Sequence, residues 1–238
     1  IILTDASGVD YNFKVYVADN CSDSGTYIVG TVSVDIGGTT WYDRSGNGDN
    51  ITFANAIPYD GGFNFTTTSH YAPAPTAVES LKGDITMETW CEQYSRNGPH
   101  QTIICTHQDH RRGMKLMSAY HSYGGAFWVA DGSGSSGDNL LDTAGGTLEN
   151  TGVFHLVATR NTSTGAIKIY LNGELSASAT HITGDVYTPT DNGFIGKEYH
   201  SGGYGLKADV SLIRVYNKEL SATEVLQNFN VHRTRFGV

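Results

Sequence analysis

Residues 154–175 read FHLVATRNTSTGAIKIYLNGEL. Phe154, Leu156 and Ala158, then Ile167, Ile169 and Leu171, place apolar side chains at every second position, the period of a strand that buries one face. Asn, Ser, Thr and Gly separate the two runs, and Asn172-Gly173 follows the second; these residues turn a chain rather than continue it. The stretch therefore reads as strands joined by tight turns. The same period returns at ITMETWCEQY (85–94), TIICTHQ (102–108), MKLMSAY (114–120), AFWVA (126–130) and VSLIRVY (210–216), each bounded by Gly, Asn, Asp or Ser. The intervals are too short for the helices of parallel crossover units, so an antiparallel all-β sandwich is expected.

One helix is expected, in KELSATEVLQNFNVH (218–232). Ser221 and Glu224 have capping-box spacing, and Leu220, Val225, Leu226 and Phe229 fall on one apolar side over about 221–230. It should cover the sandwich edge. Residues 1–38 read separately, with strand-like runs at Phe13–Val17 and Tyr27–Val34 around ADNCSDSG. They are expected to be a small N-terminal β segment, with the main domain over 39–238.

Composition excludes several functions. The 238 residues carry a formal charge of −9 and only 16% charged side chains, below the roughly 25% of ordinary soluble domains. Arg111-Arg112 and Arg233/Arg235 are too small to form a phosphate track, so no nucleic-acid partner is expected. No run reaches the roughly 18 apolar residues of a membrane span. The chain starts at Ile1, which suggests a piece of something longer. Cys91 and Cys105 are symmetric about Gly98, in a stretch where Asn97-Gly98-Pro99 could turn a hairpin. The two thiols would then face one another; two buried free cysteines are preferred over a bond.

From Trp41 to Phe229 the pattern is similar to the laminin-G-like, concanavalin A-like jelly-roll family. The landmarks, in order, are TTWYDRSGNGDNITFANA (39–56) with GGFNF (61–65), then DITMETW, FHLVATR, AIKIYLNGEL and NGFIGKEYHSGGYGLKADVSLIRVYNKELSATEVLQNFN. The opening TTWYDRSGNGDN resembles the copies found in virion proteins of tailed bacteriophages and large viruses. The resemblance implies two antiparallel sheets of about six or seven strands packed face to face. It does not imply one function, since members include glycan binders, calcium-dependent adhesion modules, companions of glycosidases and structural virion parts.

Catalysis finds little support. A retaining glycosidase needs two carboxylates about 5–5.5 Å apart; the one close pair on a strong strand is Glu88 and Glu92, with Trp90 between them. No nucleophile elbow is present, and the cysteines sit inside strands. His107, Asp109 and His110 could offer zinc ligands but read better as a solvated turn. Calcium is the one cofactor considered. Its candidates are Asp43 and Asp49, with Asn47 and Asn50, and a second acidic loop of Asp131, Asp138 and Asp142. The turn reading is preferred at 43–50. Glycan binding needs aromatic faces beside polar groups, and its candidates are Tyr120, His121 and Tyr123 near Trp128, and Tyr199, His200 and Tyr204. Trp128 itself, on an alternating strand, and His155 read as packed residues. The sequons at Asn20, Asn50, Asn64 and Asn161 are surface-compatible.

The leading expectation is a non-enzymatic virion structural protein at the particle or extracellular surface, as a capsid decoration, fibre or tail-associated component. Its partners would be other virion proteins, further copies of itself and a host cell-surface glycan, with the tail HRTRFGV docking on a neighbouring chain. A carbohydrate-binding adhesion module is the alternative, and a secreted glycosidase or lyase is less favoured.

Overall fold

Among the described residues, seventeen strands and two helices alternate with turns, in keeping with the glycine-rich, period-two sequence. The computed structural model describes residues 2–4, 10–12, 40–43, 45, 47–53, 57–59, 62–67, 69–95, 99–107, 112–121, 124–131, 140–143, 148–186, 192–197 and 205–238. The strands are β1 Ile2–Thr4, β2 Asp10–Asn12, β3 Thr40–Trp41, β4 Ile51–Thr52, β5 Ile57–Tyr59, β6 Gly62–Phe65, β7 Ala72–Pro73, β8 Ile85–Gln93, β9 His100–Cys105, β10 Arg112–Tyr120, β11 Ala126–Asp131, β12 Leu140–Asp142, β13 Val153–Arg160, β14 Ala166–Leu171, β15 Glu174–Thr180, β16 Phe194–Ile195 and β17 Ala208–Tyr216. The helices are α1 Thr76–Glu79 and α2 Ala222–Phe236.

Residues 1–35 and 36–238 are two compact units. In the first, β1 and β2 form an antiparallel hairpin, with Ile2 opposite Asn12 and Thr4 opposite Asp10. The strand runs expected at Phe13–Val17 and Tyr27–Val34 lie outside the described residues. In the second, a six-stranded sheet of order β12-β11-β10-β9-β16-β7 faces a seven-stranded sheet of order β15-β14-β13-β8-β17-β6-β5. This is the two-sheet antiparallel sandwich expected from the alternation. Met87, Cys91, Phe154, Leu156, Ala158, Ile167, Ile169 and Val210 of the seven-stranded sheet meet Ile104, Met114, Leu116, Phe127, Val129 and Ile195 of the other in one buried core. Trp41, Phe53 and Phe63 pack at its edge with ring centroids 4.5–6.1 Å apart.

Three sequence expectations need correction. β8 and β9 do not form a hairpin: they lie in different sheets. Cys91 and Cys105 are therefore free buried thiols on separate sheets, and burial pushes the Cys91 thiol far up. The C-terminal helix runs to Phe236, so HRTRF is part of α2 rather than a projecting tail. Its start is as expected: the Ser221 hydroxyl accepts from the Glu224 N–H, the Glu224 carboxylate accepts from Ser221, and Gly237 ends the helix in the left-handed region. Nor does α2 cap an edge. It lies across the outer face of the seven-stranded sheet, burying Val225 and Phe229 while Leu226 stays 44% exposed.

Candidate functional site

The outer face under α2 holds a polar cluster assembled from four elements. On β8 the odd residues Ile85, Met87 and Cys91 enter the core, so Glu88 and Trp90 point the other way. Strand pairing puts His155 of β13 opposite Trp90, and Arg214 of β17 opposite Glu88. The fully buried Glu88 carboxylate then accepts from His155 Nε2 at 3.2 Å, Arg214 Nη1 at 2.9 Å, Tyr216 Oη at 3.1 Å and Asn228 Nδ2 at 2.8 Å. Burial alone would raise the Glu88 carboxyl, but the hydrogen bond from His155 and the Arg214 charge outweigh it and hold it below its ordinary value. Burial and the Glu88 charge push the Tyr216 hydroxyl up, so it stays a donor.

Arg214 Nη2 also meets His232 Nε2 at 2.6 Å. A guanidinium only donates, so His232 Nε2 accepts and the ring is neutral; burial, then Arg214, lower its pKa accordingly. Trp90 stacks against Phe236 at 4.6 Å and Phe229 at 5.6 Å, and lies 4.8 Å from His155. This cluster joins helix to sheet. A carboxylate with four donors and no access to solvent is unsuited to protonating a glycoside, and Glu92 has no comparable role beside it. Sequence reasoning singled out Glu88 and Trp90 but not Arg214, Tyr216, Asn228 or His232. The available signal was that Glu88 and Trp90 share the face of β8 opposite to its core residues.

Asp43 is the centre of a turn. One of its oxygens accepts from Ser45 N at 2.8 Å; the other accepts from Ser45 Oγ at 2.8 Å, Gly48 N at 2.9 Å and Asp49 N at 3.2 Å. The Ser45 backbone N–H leads the group that holds its pKa down to about 2. Asn50 Oδ1 accepts from Asp43 N, so this amide is also used within the turn. Those oxygens serve N–H groups of the loop, as in an Asx turn. In the second acidic set, Asp131 ends β11 while Asp142 pairs with Ala126 at its start, so their backbones are separated by about 16 Å at 3.3 Å per residue. They do not converge on one ion. Asp138, Asp109 and His110 lie outside the described residues, and His107 is buried with Nδ1 at 2.9 Å from Thr106 Oγ1. Among the described residues no group of three or more His, Cys, Asp or Glu could hold a metal ion.

The aromatic candidates divide. Tyr123, Tyr199, His200 and Tyr204 lie outside the described residues. Tyr120 and His121 come together with a residue the sequence did not single out, His100. β9 and β10 pair His100 with Tyr120, stacking their rings at 4.8 Å; His121 stands edge-on to both, at 4.5 Å from Tyr120 and 5.2 Å from His100. Trp128 underlies Tyr120 at 5.9 Å, in a second apolar cluster with Met117, Ala126 and Ala130. His121 is exposed and the other two rings are half-buried. His121 has φ +51°, the one left-handed residue among those described that is neither Gly nor Asn, and its N–H donates to Pro99 O at 2.6 Å. The result is a ledge of rings at one end of the six-stranded sheet.

A family described as the concanavalin A-like lectin/glucanases superfamily matches residues 65–226. The chain belongs to this superfamily. Solved structures of other proteins show the same fold at low identity. The botulinum neurotoxin serotype D binding domain superposes with TM-score 0.58 at 17% identity, covering 82% of this chain and 49% of that one. The binding domain of botulinum neurotoxin DC in complex with SialylT gives 0.55 at 12%, covering 83% and 52%. A candidate carbohydrate-binding protein of Bacteroides ovatus gives 0.55 at 18%, covering 69% and 45%. The chain thus spans about half the length of each. No curated protein matches the sequence. No described helix is long and apolar enough to cross a membrane.

Proposed function

We propose that this superfamily member is a non-catalytic glycan-binding module whose sugar sits on the ledge of His100, Tyr120 and His121. The ledge carries the reading. A pyranose has an apolar face, which an aromatic ring covers, and a rim of hydroxyls, which imidazole nitrogens can bond. Support also comes from proteins of this fold named for carbohydrate binding or held in complex with SialylT. The Glu88 carboxylate is committed to the helix–sheet junction. Tyr120→Ala is expected to weaken binding to glycans selected on an array by roughly tenfold, about 1.4 kcal/mol, with the protein still folded at the temperature of the assay. Unchanged affinity would remove the ledge from consideration. Release of reducing sugar by the purified chain would overturn the non-catalytic reading.

The proposed setting is the outer surface of a virus particle, as a homo-oligomeric capsid, tail or fibre component that contacts host glycans. Its support is the likeness of residues 39–50 to virion copies of the fold. Mass spectrometry of the native assembly that carries the chain is expected to find capsid or tail proteins beside it. An assembly without them would sink this setting and leave the glycan reading standing.

A further inference from the structure

A second ring cluster lies on the same face of the same sheet. Cys105 on β9 pairs with Lys115 on β10 and with Phe194 on β16, and Lys115 pairs with Trp128 on β11. Phe194 therefore shares the outer face with Trp128 and Tyr120. His100 and Cys105 are the two ends of β9, so the clusters are separated by about 16 Å along the strand.

Here Tyr71 and Phe194 stand edge to face at 5.5 Å, and the Lys197 ammonium lies 3.2 Å from the Tyr71 ring centroid and 4.6 Å from that of Phe194. All three side chains are half-buried. Their backbone is held in place. Phe194 and Ile195 pair with Pro73 and Ala72, Ala74 N donates to Gly193 O, and Gly193 N donates to the Glu79 carboxylate at 2.7 Å. Gly193 and Gly196 admit no side chain: a Cβ would fall 2.3 Å from Cys105 O and 2.5 Å from the Phe65 ring.

No carboxylate among the described residues pairs with Lys197. Ring faces attract its charge but cannot accept the three strong hydrogen bonds an ammonium donates. An anion placed at this spot would gain charge-assisted bonds on a prearranged backbone. The surrounding chain carries a charge of −9, which repels polyanions in general, so attraction must be local to such a cation.

We infer that Tyr71, Phe194 and Lys197 form a second subsite, specific for a sugar residue bearing a negative charge. The anion draws the ammonium from the rings and leaves an aromatic face for the sugar ring. This rests on the glycan-binding reading and adds to it the acidic class of glycan.

The test compares binding of the purified chain to polygalacturonate against its methyl ester, and to dextran sulfate against dextran, at low and physiological salt. At least one anionic polymer is expected to bind more tightly than its neutral counterpart, the preference shrinking with salt. Lys197→Gln is expected to lower affinity for that polymer by at least about tenfold, while Lys197→Arg retains most of it. Tyr120→Ala should weaken the neutral and anionic forms alike. The two arms tell a carboxylate from a sulfate. Equal binding of charged and neutral polymers, or a preference that survives Lys197→Gln in a folded protein, overturns the subsite and spares the ledge. Binding to neither member of either pair overturns both.

Discussion

Replacing Trp90 by alanine is expected to lower the unfolding free energy by about 3–5 kcal/mol and to loosen α2 from the sheet. Trp90 is fully buried and is the largest fully buried side chain among the described residues. Its ring is held between the sheet, through His155, and the helix, through Phe229 and Phe236. Val225 and Phe229 are the buried residues of α2, so the helix has few other apolar anchors. Removing the indole leaves a cavity that a β-sheet on one side and a capped helix on the other cannot close. Urea denaturation with limited proteolysis checks this, with cleavage after Arg233 or Arg235 rising in the variant. Trp90→Phe keeps a ring in the stack and removes an indole N–H that has no acceptor among the described residues, and should fall well short of the alanine effect. A loss below about 1 kcal/mol for Trp90→Ala would show that the ring stack does not anchor the helix.

Glu88→Ala is the second large effect, at about 3 kcal/mol. Removing one partner of a buried ion pair typically destabilises by about 3–5 kcal/mol, because the other charge stays behind. The lower end applies because the Arg214 side chain is 34% exposed and water screens part of its loss. Asn228, Tyr216 and His155 also lose their shared acceptor. The acid response carries a definite sign. Glu88 has a folded pKa below its ordinary value of 4.5, so its contribution is present above that value and fades as pH falls through the folded one. The stability gap between the wild type and Glu88→Gln should therefore be constant from neutral pH to about 5 and narrow below the ordinary carboxylate value. A gap that widens on acidification would contradict a paired, ionised Glu88.

The role of this cluster was only half legible from residues alone. Period-two alternation is a local property, and it identified β8, β9, β10, β11, β13, β14 and β17, because a strand that buries one face must alternate whatever it pairs with. The capping box at Ser221 was equally local, since its bonds close within four residues. Pairing partners were not local. Asn97-Gly98-Pro99 carries the chemistry of a hairpin turn, yet β8 pairs with β13 and β17 and β9 with β10 and β16, because packing two sheets selects partners that no turn residue encodes. The end of α2 was missed for a related reason. Residues 230–236 show weak apolar periodicity, and their helix is held by Phe236 on Trp90 and His232 on Arg214.

The candidate site divides the same way. Tyr120 and His121 stood out as an aromatic-and-imidazole pair in a glycine-rich turn, but His100, 20 positions earlier, joined them only through strand register. Tyr71 and Lys197 are separated by 126 positions, and Glu88 and Asn228 by 140. What the amino-acid order determined by itself was the class of fold, the position of most of the long strands and the start of the helix, all governed by interactions within a few residues. Which charges are buried, which rings share a face and which cation lies over rings were decided only in the tertiary structure, because those depend on residues brought together across two sheets.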